Sequence, residues 1–336
     1  MRLSFDEIYQ EIKRVFIKYG LPEEKAETCA RIHTESTYDG IYSHGVNRVA
    51  RFVDYLKKGW VDPNADPTVE KDLGAIKVIN GNMGPGVLNA LFAADQAMEL
   101  ADKYGIGMVG IKNTTHWMRG GTYGLEVAKK GYVAIMWTNT EACMPPWGAK
   151  ECRLGNNPFV MACPGTDKVP VLLLDMAMSQ YAYGKLQVLR LAGKKLPFPG
   201  GFDKGGNVTD DPGAIEDSMR IMPMGYWKGS SLAFMLDVLG AVLTDGVGAA
   251  DLNAATKGSC GGCSQVMIVI DPSKITDGTA MKNTIQKEIE YMEGAEPDEH
   301  NSGIHAPGAG RISFNEKHDK DGIFVDDTVW SEIKGL

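Results

Sequence analysis

The chain has 336 residues, of which 43% are hydrophobic and 23% are charged. This length and composition allow a large hydrophobic core, in one large domain or two intertwined ones, and they exclude wholesale disorder. The formal net charge is -8, and no basic run is longer than a pair. Binding to DNA or RNA depends on clustered positive charge, so we expect no nucleic-acid partner.

The N-terminus, MRLSFDEIYQEIKR, has acidic residues within its first seven positions and lacks the apolar core of a signal peptide. A membrane-spanning helix needs roughly 20 apolar residues. The two most apolar stretches, 169–179 and 232–243, are short and are interrupted by Asp175 and Asp237. We therefore expect a cytoplasmic protein with no membrane partner.

The cysteines offer one short motif. Cys260 and Cys263 form a C-x-x-C within GSCGGCSQV, whereas the other four cysteines are scattered along the chain. A zinc site would need a second such pair or nearby histidines, and the sequence has neither, so we expect no metal. A thiol-redox or metal protein built on this pair stays open as an alternative.

The first sixty residues have helical spacing. Ser4 and Glu7 form a capping box, and a stripe of apolar residues follows as far as Gly20. Pro22 starts a second helix, and a third helix carries an apolar stripe from 46 to 56. Between the second and third lies DGIYSHGVNR, a polar turn with a glycine on each side of its histidine. The helices provide a scaffold, and that turn is a candidate site.

From about residue 74 the pattern becomes α/β. Short apolar runs (AIKVI, GMVGI, YVAIMWT, PFVMAC, VLLLDM and later VMIVI) predict strands, and 86–104 and 184–193 predict helices between them. A long apolar helix begins near 225, and 197–213 is turn-rich, typical of a loop. We predict a central sheet domain over 75–226 and a helical domain built from both chain ends, 1–74 and 227–336.

Residues 105–110, GIGMVG, match the glycine pattern of a dinucleotide-binding turn. That turn works only when a strand precedes the glycines and a helix follows, so that pyrophosphate meets a helix N-terminus. Here a helix ending in ELADKY precedes them and a strand follows. We expect a helix C-cap at this position. Any dinucleotide must bind elsewhere.

Several polar residues could carry chemistry. His44 and Arg48 lie four residues apart, so on a helix they would share one face. Arginine binds a carboxylate with two parallel hydrogen bonds, and histidine can pass a proton near neutral pH. His116 follows a predicted strand end, in a loop with Arg119, and Asp175 ends another strand. The helix opened by GYWKGSS, with Lys228 in its first turn, could bind a phosphate. Each feature alone also fits an ordinary surface or cap residue.

Six longer motifs are distributed along the chain: YSHGVNR (42–48), NTTHWMRGG (113–121), MPPWGAKECR (144–153), LDMAMS (174–179), MGYWKGS (224–230) and DDTVWSEI (326–333). Taken together, these segments resemble the non-Rossmann malate/L-lactate dehydrogenase family almost from end to end. The resemblance implies an L-sulfolactate-dehydrogenase-like fold with a mixed central sheet, a nicotinamide cofactor and a homodimer or larger homo-oligomer.

The resemblance also implies roles for single residues. His44 matches the proton donor, Arg48 and His116 match the substrate pocket, and we add Arg119 to that pocket and Asp175 as support for the site. Relatives often have glutamate in place of Gly310 and threonine in place of Asn156. The positions that match the dinucleotide-binding segments are Val171, Leu172, Leu173, Leu174, Asp175, Met176, Ala177, Trp227, Lys228, Gly308, Ala309 and Gly310.

We therefore expect reduction of a 2-oxo acid, most of all a sugar-derived one, with NADH as cofactor and NADPH as the alternative. Within the same family, malate, lactate, ureidoglycolate or a cyclic imino acid are alternative substrates. A non-catalytic sugar-acid binding protein is the alternative from another class. The sequence alone does not separate these substrates, because the family shares a scaffold and pocket loops select the substrate.

Overall fold

The computed structural model describes residues 1–299 and 303–336. Its strands are β1 (Arg2–Leu3), β2 (Thr68–Asp72), β3 (Ile76–Asn80), β4 (Ile106–Thr114), β5 (Val133–Thr138), β6 (Phe159–Pro164), β7 (Val171–Met176), β8 (Gly201–Phe202), β9 (Val208–Thr209), β10 (Cys263–Ile270) and β11 (Ile323–Phe324).

The helices alternate with these strands and also flank them at both chain ends. They are α1 (Phe5–Lys18), α2 (Glu23–Tyr38), α3 (Val49–Lys57), α4 (Gly86–Tyr104), α5 (Gly120–Lys129), α6 (Tyr183–Leu191), α7 (Pro212–Ser218), α8 (Trp227–Thr244), α9 (Ala249–Ala255), α10 (Gly278–Glu293), α11 (Ala309–Asp321) and α12 (Asp327–Gly335).

Seven strands form the central sheet, in the order β2-β3-β4-β10-β5-β6-β7. The β3–β4 pair is parallel, and the other five neighbouring pairs are antiparallel. The sheet is therefore mixed, as predicted, and is not a doubly wound parallel sheet. Helices α4 and α5 pack on one face around Ala93, Ala97 and Tyr123, while residues of α6, α7 and α8 pack on the other.

The sheet extends beyond residues 75–226. Strand β2 lies before this range, and β10 lies after it, in the centre of the sheet between β4 and β5. Six of the eight residues of β10 are buried, because both faces of this central strand are covered. The prediction that 227–336 belongs to the helical domain is therefore wrong for β10, which lies in the central sheet. The prediction that VMIVI forms a strand is confirmed.

Both chain ends build the helical layer. Strand β1 pairs with β11, with Arg2 opposite Phe324, and a second core joins Ile12, Phe16 and Phe52 to Trp330 near the C-terminus. The capping box of Ser4 and Glu7 is present. These contacts join the two chain ends in one helical layer.

Two local predictions have clear outcomes. Gly105 ends α4 with φ of 85°, a conformation that favours glycine, and β4 begins at the next residue. GIGMVG is therefore a helix C-cap leading into a strand, as predicted. The predicted loop 197–213 is partly regular, because β8 and β9 pair within it and Pro212 starts α7.

Among the described residues, no single helix is long and apolar enough to span a membrane. Helices α8 and α9 meet that length and composition only as a pair, and the pair is bent by 83°.

Candidate active site

His44 and Arg48 lie in two consecutive 3-10 turns before α3, where we had expected one helix start. Gly45 joins these turns and packs against α2. A Cβ on Gly45 would lie 2.9 Å from the carbonyl oxygen of His33 and closer still to Thr37 Oγ1, so no larger residue fits. The backbone N–H of Val46 donates to Thr37 Oγ1 at 3.0 Å. Helix α2 thus holds the turn that carries both side chains.

His116 lies directly against Arg48. The backbone N–H of Met118 donates to His116 Nδ1 at 2.9 Å, so this nitrogen is an acceptor and a neutral ring carries its proton on Nε2. Nη2 of Arg48 lies 3.4 Å from that Nε2. Two donors therefore face each other. An anionic oxygen placed against both could accept a hydrogen bond from each.

The imidazole of His44 stacks on that of His116, with ring centroids 5.6 Å apart and an interplanar angle of 21°. Ser43 Oγ lies 3.1 Å from His44 Nδ1, which leaves the other ring nitrogen for a ligand. Burial, reinforced by the charges of Arg48 and Arg119, lowers the pKa of His44 to about 3. The same causes, burial first and Arg48 next, hold the pKa of His116 well below its usual value. Both rings are neutral when no anion is bound.

Arg119 belongs to a buried ion-pair network behind this pair of histidines. Its Nη1 lies 2.5 Å from Asp39 Oδ2, with the two side chains only 7% and 9% exposed, and its Nε lies 3.9 Å from Asp175 Oδ2. The carboxylate of Asp175 also accepts from the backbone N–H of Gly121 at 2.7 Å. Burial raises the pKa of Asp175, while Arg119 and this hydrogen bond lower it. Arg119 is therefore already paired with protein carboxylates, which the predicted substrate contact did not anticipate.

Two of the three predicted cofactor segments contact each other along β7. The backbone N–H of Leu173 donates to the carbonyl oxygen of Pro307 at 3.1 Å, so the 305–311 segment covers the outer edge of the sheet. Gly308 has φ of +96°, and a Cβ there would lie 2.9 Å from the carbonyl oxygen of Val171. Only glycine allows this approach. The segments are about 130 residues apart in sequence, and the fold brings them together.

The third segment, Trp227 and Lys228, begins α8 and is exposed. Backbone hydrogen bonds connect it to the end of β7, because the N–H of Met224 donates to the carbonyl oxygen of Met178 at 2.8 Å. The N-termini of α8 and α11 therefore lie at opposite ends of one edge strand. Helix N-termini present free N–H groups that favour anions.

The two departures from the family pattern are both accommodated. Nothing lies within 4 Å of a Cβ built on Gly310, so space does not require glycine at this position. The carbonyl oxygen of Asn156 accepts from the N–H of Met178 at 2.7 Å, and its side-chain Oδ1 lies 3.2 Å from Thr140 Oγ1. Among residues 1–299 and 303–336, neither position forms a hydrogen bond with His44 or Arg48.

Cys260 and Cys263 are buried, and burial raises the pKa of Cys260 to about 12 and that of Cys263 further. Reactive thiols are exposed and have a low pKa, so this environment does not favour redox chemistry. In residues 1–299 and 303–336, no group of three or more His, Cys, Asp or Glu side chains is arranged to hold a metal ion.

Sequence reasoning missed two acidic residues near the site. Asp39 pairs with Arg119 and, at 3.8 Å, with Arg311. Its signal was its position as the first residue of DGIYSHGVNR. Burial raises the pKa of Glu141, and the charge of Arg48 is close enough to offset part of that rise. No spacing pattern marks Glu141, because the loop that carries it meets Arg48 only through the fold.

The paired histidines and Arg48 lie together beyond the end of β4, and comparison with known proteins identifies the family of the chain. The family model for malate/L-lactate dehydrogenase matches residues 3–334. This chain is a member of the malate/L-lactate dehydrogenase family.

Relatives and solved structures resemble the chain along its whole length. It is 43% identical over 336 residues to 2,3-diketo-L-gulonate reductase of Escherichia coli (strain K12), covering 100% of both chains. Sulfolactate dehydrogenase from Methanocaldococcus jannaschii has a TM-score of 0.89 at 29% identity, with 100% of this chain and 96% of that one covered. For malate dehydrogenase from Pyrococcus horikoshii the TM-score is 0.90 at 27% identity, with 100% and 94% covered. The predicted fold is confirmed.

Proposed function

We propose that this enzyme reduces 2,3-diketo-L-gulonate to 3-dehydro-L-gulonate with NADH, using His44 as the proton donor. The pair of opposed donors on Arg48 and His116, beside the ring of His44, carries this proposal. A 2-oxo acid has a carboxylate next to a carbonyl group. The donor pair fits the carboxylate, and His44 is one stacked ring away, where the carbonyl oxygen would lie.

The substrate carboxylate would bind to Arg48 and to Nε2–H of His116 and so satisfy both donors. The bound anion would also offset the positive charge of Arg48, which is the second cause of the low pKa of His44. Substrate binding would therefore raise the pKa of His44, and the ring would become protonated as the anion enters. His44 then gives its proton to the carbonyl oxygen as the carbon accepts hydride.

When bound, the reduced nicotinamide supplies that hydride. The edge strand Val171–Met176 with Ala177, the start of α11 at Ala309 and Gly310, and the start of α8 at Trp227 and Lys228 would hold the dinucleotide. Lys228 and the free N–H groups of these two helix starts suit its negatively charged phosphates. Asp39 and Asp175, on either side of Arg119, would keep this guanidinium in place behind the substrate, so we propose a positioning role for Arg119.

We also propose that the enzyme is a cytoplasmic homodimer. Helix α8 supports the dimer, because it exposes large apolar side chains along much of its length: Trp227, Phe234, Met235 and Val242 are 61%, 55%, 47% and 70% exposed. A contiguous apolar surface of this kind typically marks an interface between proteins. Sedimentation velocity of the intact chain measures the state directly, and a monomer at micromolar concentration would contradict this proposal.

A substrate panel followed at 340 nm tests the function. The panel contains 2,3-diketo-L-gulonate and the oxo or imino forms that correspond to malate, lactate, ureidoglycolate and a cyclic imino acid. We expect 2,3-diketo-L-gulonate to give the highest kcat/KM of these substrates. For each substrate we expect a higher kcat/KM with NADH than with NADPH. A higher kcat/KM for one of the other substrates would transfer the assignment to that reaction. Binding of a sugar acid without NADH binding or turnover would favour a non-catalytic binding protein.

A His44→Asn variant tests the proton donor. We expect turnover to fall by at least 100-fold, since general acid catalysis contributes typically 10²–10⁴-fold, while NADH affinity measured by fluorescence is unchanged. Near-normal turnover would remove His44 from the mechanism. A Cys260→Ser, Cys263→Ser double variant is the control for thiol chemistry, and we expect it to keep its activity.

A further inference from the structure

Glu141 is an acidic residue with an unsatisfied oxygen near the substrate-binding donors. Its Oε2 is buried and has no hydrogen-bond partner in the described part of the chain. Burial raises the pKa of Glu141, whereas the charges of Arg48 and Arg51 lower it. Neither arginine forms an ion pair with it among residues 1–299 and 303–336, because all their charged nitrogens lie beyond 4.0 Å. A buried carboxylate oxygen without a partner is costly, so a donor is expected from elsewhere.

The loop that carries Glu141 is held firmly. The backbone N–H of Thr140 donates to Asn157 Oδ1 at 2.9 Å, and the amide of Asn157 in turn donates to the carbonyl oxygen of Ala233 at 2.7 Å. These hydrogen bonds fix the backbone immediately before Glu141.

The surroundings of Glu141 place it against the turn that precedes β10. A Cβ built on Gly258 would lie 3.6 Å from Glu141 Oε2 and 3.7 Å from the hydroxyl of Tyr55, so the two polar groups flank this glycine. Cys260 follows two residues later, and its thiol is close to the backbone of His116. Glu141 and the backbone of His116 therefore lie against the same turn, 258–260.

Arg48 is incompletely satisfied as well, since its Nε is also buried without a partner. The candidate site thus has an unsatisfied cation and an unsatisfied anion that do not pair with each other. A ligand that satisfies both has a carboxylate at one end and hydrogen-bond donors at the other. A 2-oxo acid with hydroxyl groups on its remaining carbons has these features. Pyruvate has no donor for Glu141, and a dicarboxylate such as oxaloacetate would bring a second negative charge toward it.

Building on the proposed function, we infer that Glu141 determines specificity: it accepts hydrogen bonds from the hydroxyl groups of a polyhydroxylated 2-oxo acid and repels the second carboxylate of a dicarboxylic one.

The test compares Glu141→Ala and Glu141→Gln with wild type, using NADH and three substrates: 2,3-diketo-L-gulonate, pyruvate and oxaloacetate. In Glu141→Ala we expect the ratio of kcat/KM for 2,3-diketo-L-gulonate to that for pyruvate to fall roughly 10- to 100-fold, the usual range for a hydrogen bond to a charged group. The ratio for oxaloacetate over pyruvate should rise. Glu141→Gln keeps an acceptor and loses the charge, so it should raise the oxaloacetate ratio while lowering the diketogulonate ratio less.

Glu151→Ala is the matched control, because Glu151 is exposed on the loop that follows and pairs only with Arg153 in the described structure. Both ratios should stay at wild-type values in it. Should Glu141→Ala not fold, judged by thermal melting, the isosteric Glu141→Gln still decides through the oxaloacetate ratio.

Unchanged ratios in the folded Glu141 variants would overturn the inference and leave the proposed function standing. If wild type itself fails to prefer 2,3-diketo-L-gulonate over pyruvate, the proposed function and the inference fall together. The first failure is read from the variants and the second from wild type alone, so the two are distinguishable.

Discussion

Gly308 offers a sharp test of how the cofactor segments are assembled. The residue precedes α11 with φ of +96° and ψ of -14°, outside the usual range for any residue with a side chain. Its missing Cβ would lie 2.9 Å from the carbonyl oxygen of Val171 and 3.2 Å from the backbone nitrogen of Leu173. Both neighbours are backbone atoms of β7, so neither can rotate away.

Gly308→Ala therefore combines two costs. The strained backbone conformation costs about 1–3 kcal/mol, and the forced separation of α11 from β7 costs about 1–3 kcal/mol more. We expect the free energy of unfolding to fall by about 2–6 kcal/mol. The start of α11 would also move away from the edge strand, so the dissociation constant for NADH should rise by at least tenfold.

Gly310→Ala is the matched control, two residues further along the chain. It lies in the first turn of α11 with nothing within 4 Å of the added methyl group. Alanine in place of a helical glycine stabilises by about 0.5–1 kcal/mol. Urea denaturation and NADH titration by fluorescence measure both variants. Equal behaviour of the two, or wild-type NADH affinity in a folded Gly308→Ala, would refute the reasoning.

Three further outcomes follow from buried charges. Asp39→Asn leaves the guanidinium of Arg119 without its close partner, so urea denaturation should show that the free energy of unfolding falls by about 3–5 kcal/mol. The exposed control Asp54→Asn should lose about 0.5 kcal/mol or less. Similar losses in the two variants would contradict a stabilising buried ion pair between Asp39 and Arg119. Burial lowers the pKa of His33 to about 4 from its usual 6.5, so between these values the unfolded chain binds the extra proton and stability falls as pH is lowered. His33→Met should lose about 3 kcal/mol less than wild type between pH 7 and 4, and parallel stability curves would refute this. Arg48→Lys should raise KM for the oxo acid about tenfold or more with NADH affinity unchanged, because an ammonium cannot form two parallel hydrogen bonds; an unchanged KM would exclude Arg48 from carboxylate binding.

Much of the fold could be predicted because local patterns dominate it. The capping box at Ser4, the helix 86–104 and the C-cap at Gly105 each depend on neighbouring residues, and the structure has all three. The order of the glycine motif relative to helix and strand correctly excluded a dinucleotide-binding turn at 105–110. Local order along the chain was sufficient for these features.

Strand β10 shows where local patterns end. Its apolar run predicted a strand, but no local signal places residues 263–270 between β4 and β5 in a sheet otherwise built from residues 68–176. Pairing over this separation is decided by burial of both faces, which is a property of the whole core. The predicted domain boundary at residue 227 consequently left this central strand outside the predicted sheet domain.

In the candidate site, too, single residues could be identified from the sequence, whereas contacts between distant segments could not. The motif around His44 identified the histidine and Arg48 by resemblance, but the donor pair with His116 depends on a tautomer set by the N–H of Met118. Glu141 could not be found from spacing, since its relation to Arg48 exists only after folding. The pairing of Arg119 with Asp39 was hidden for the same reason, as 80 residues separate the two.

A crystal structure of the enzyme with NADH and an unreactive oxo-acid analogue gives the most direct test of the central claim. The quantity to measure is the separation between the nicotinamide ring and the imidazole of residue 44. We expect one carbonyl group to bridge them, with its oxygen at hydrogen-bond distance from the imidazole and its carbon facing the ring. A nicotinamide ring bound far from His44, with the analogue away from Arg48 and His116, would contradict the proposed mechanism.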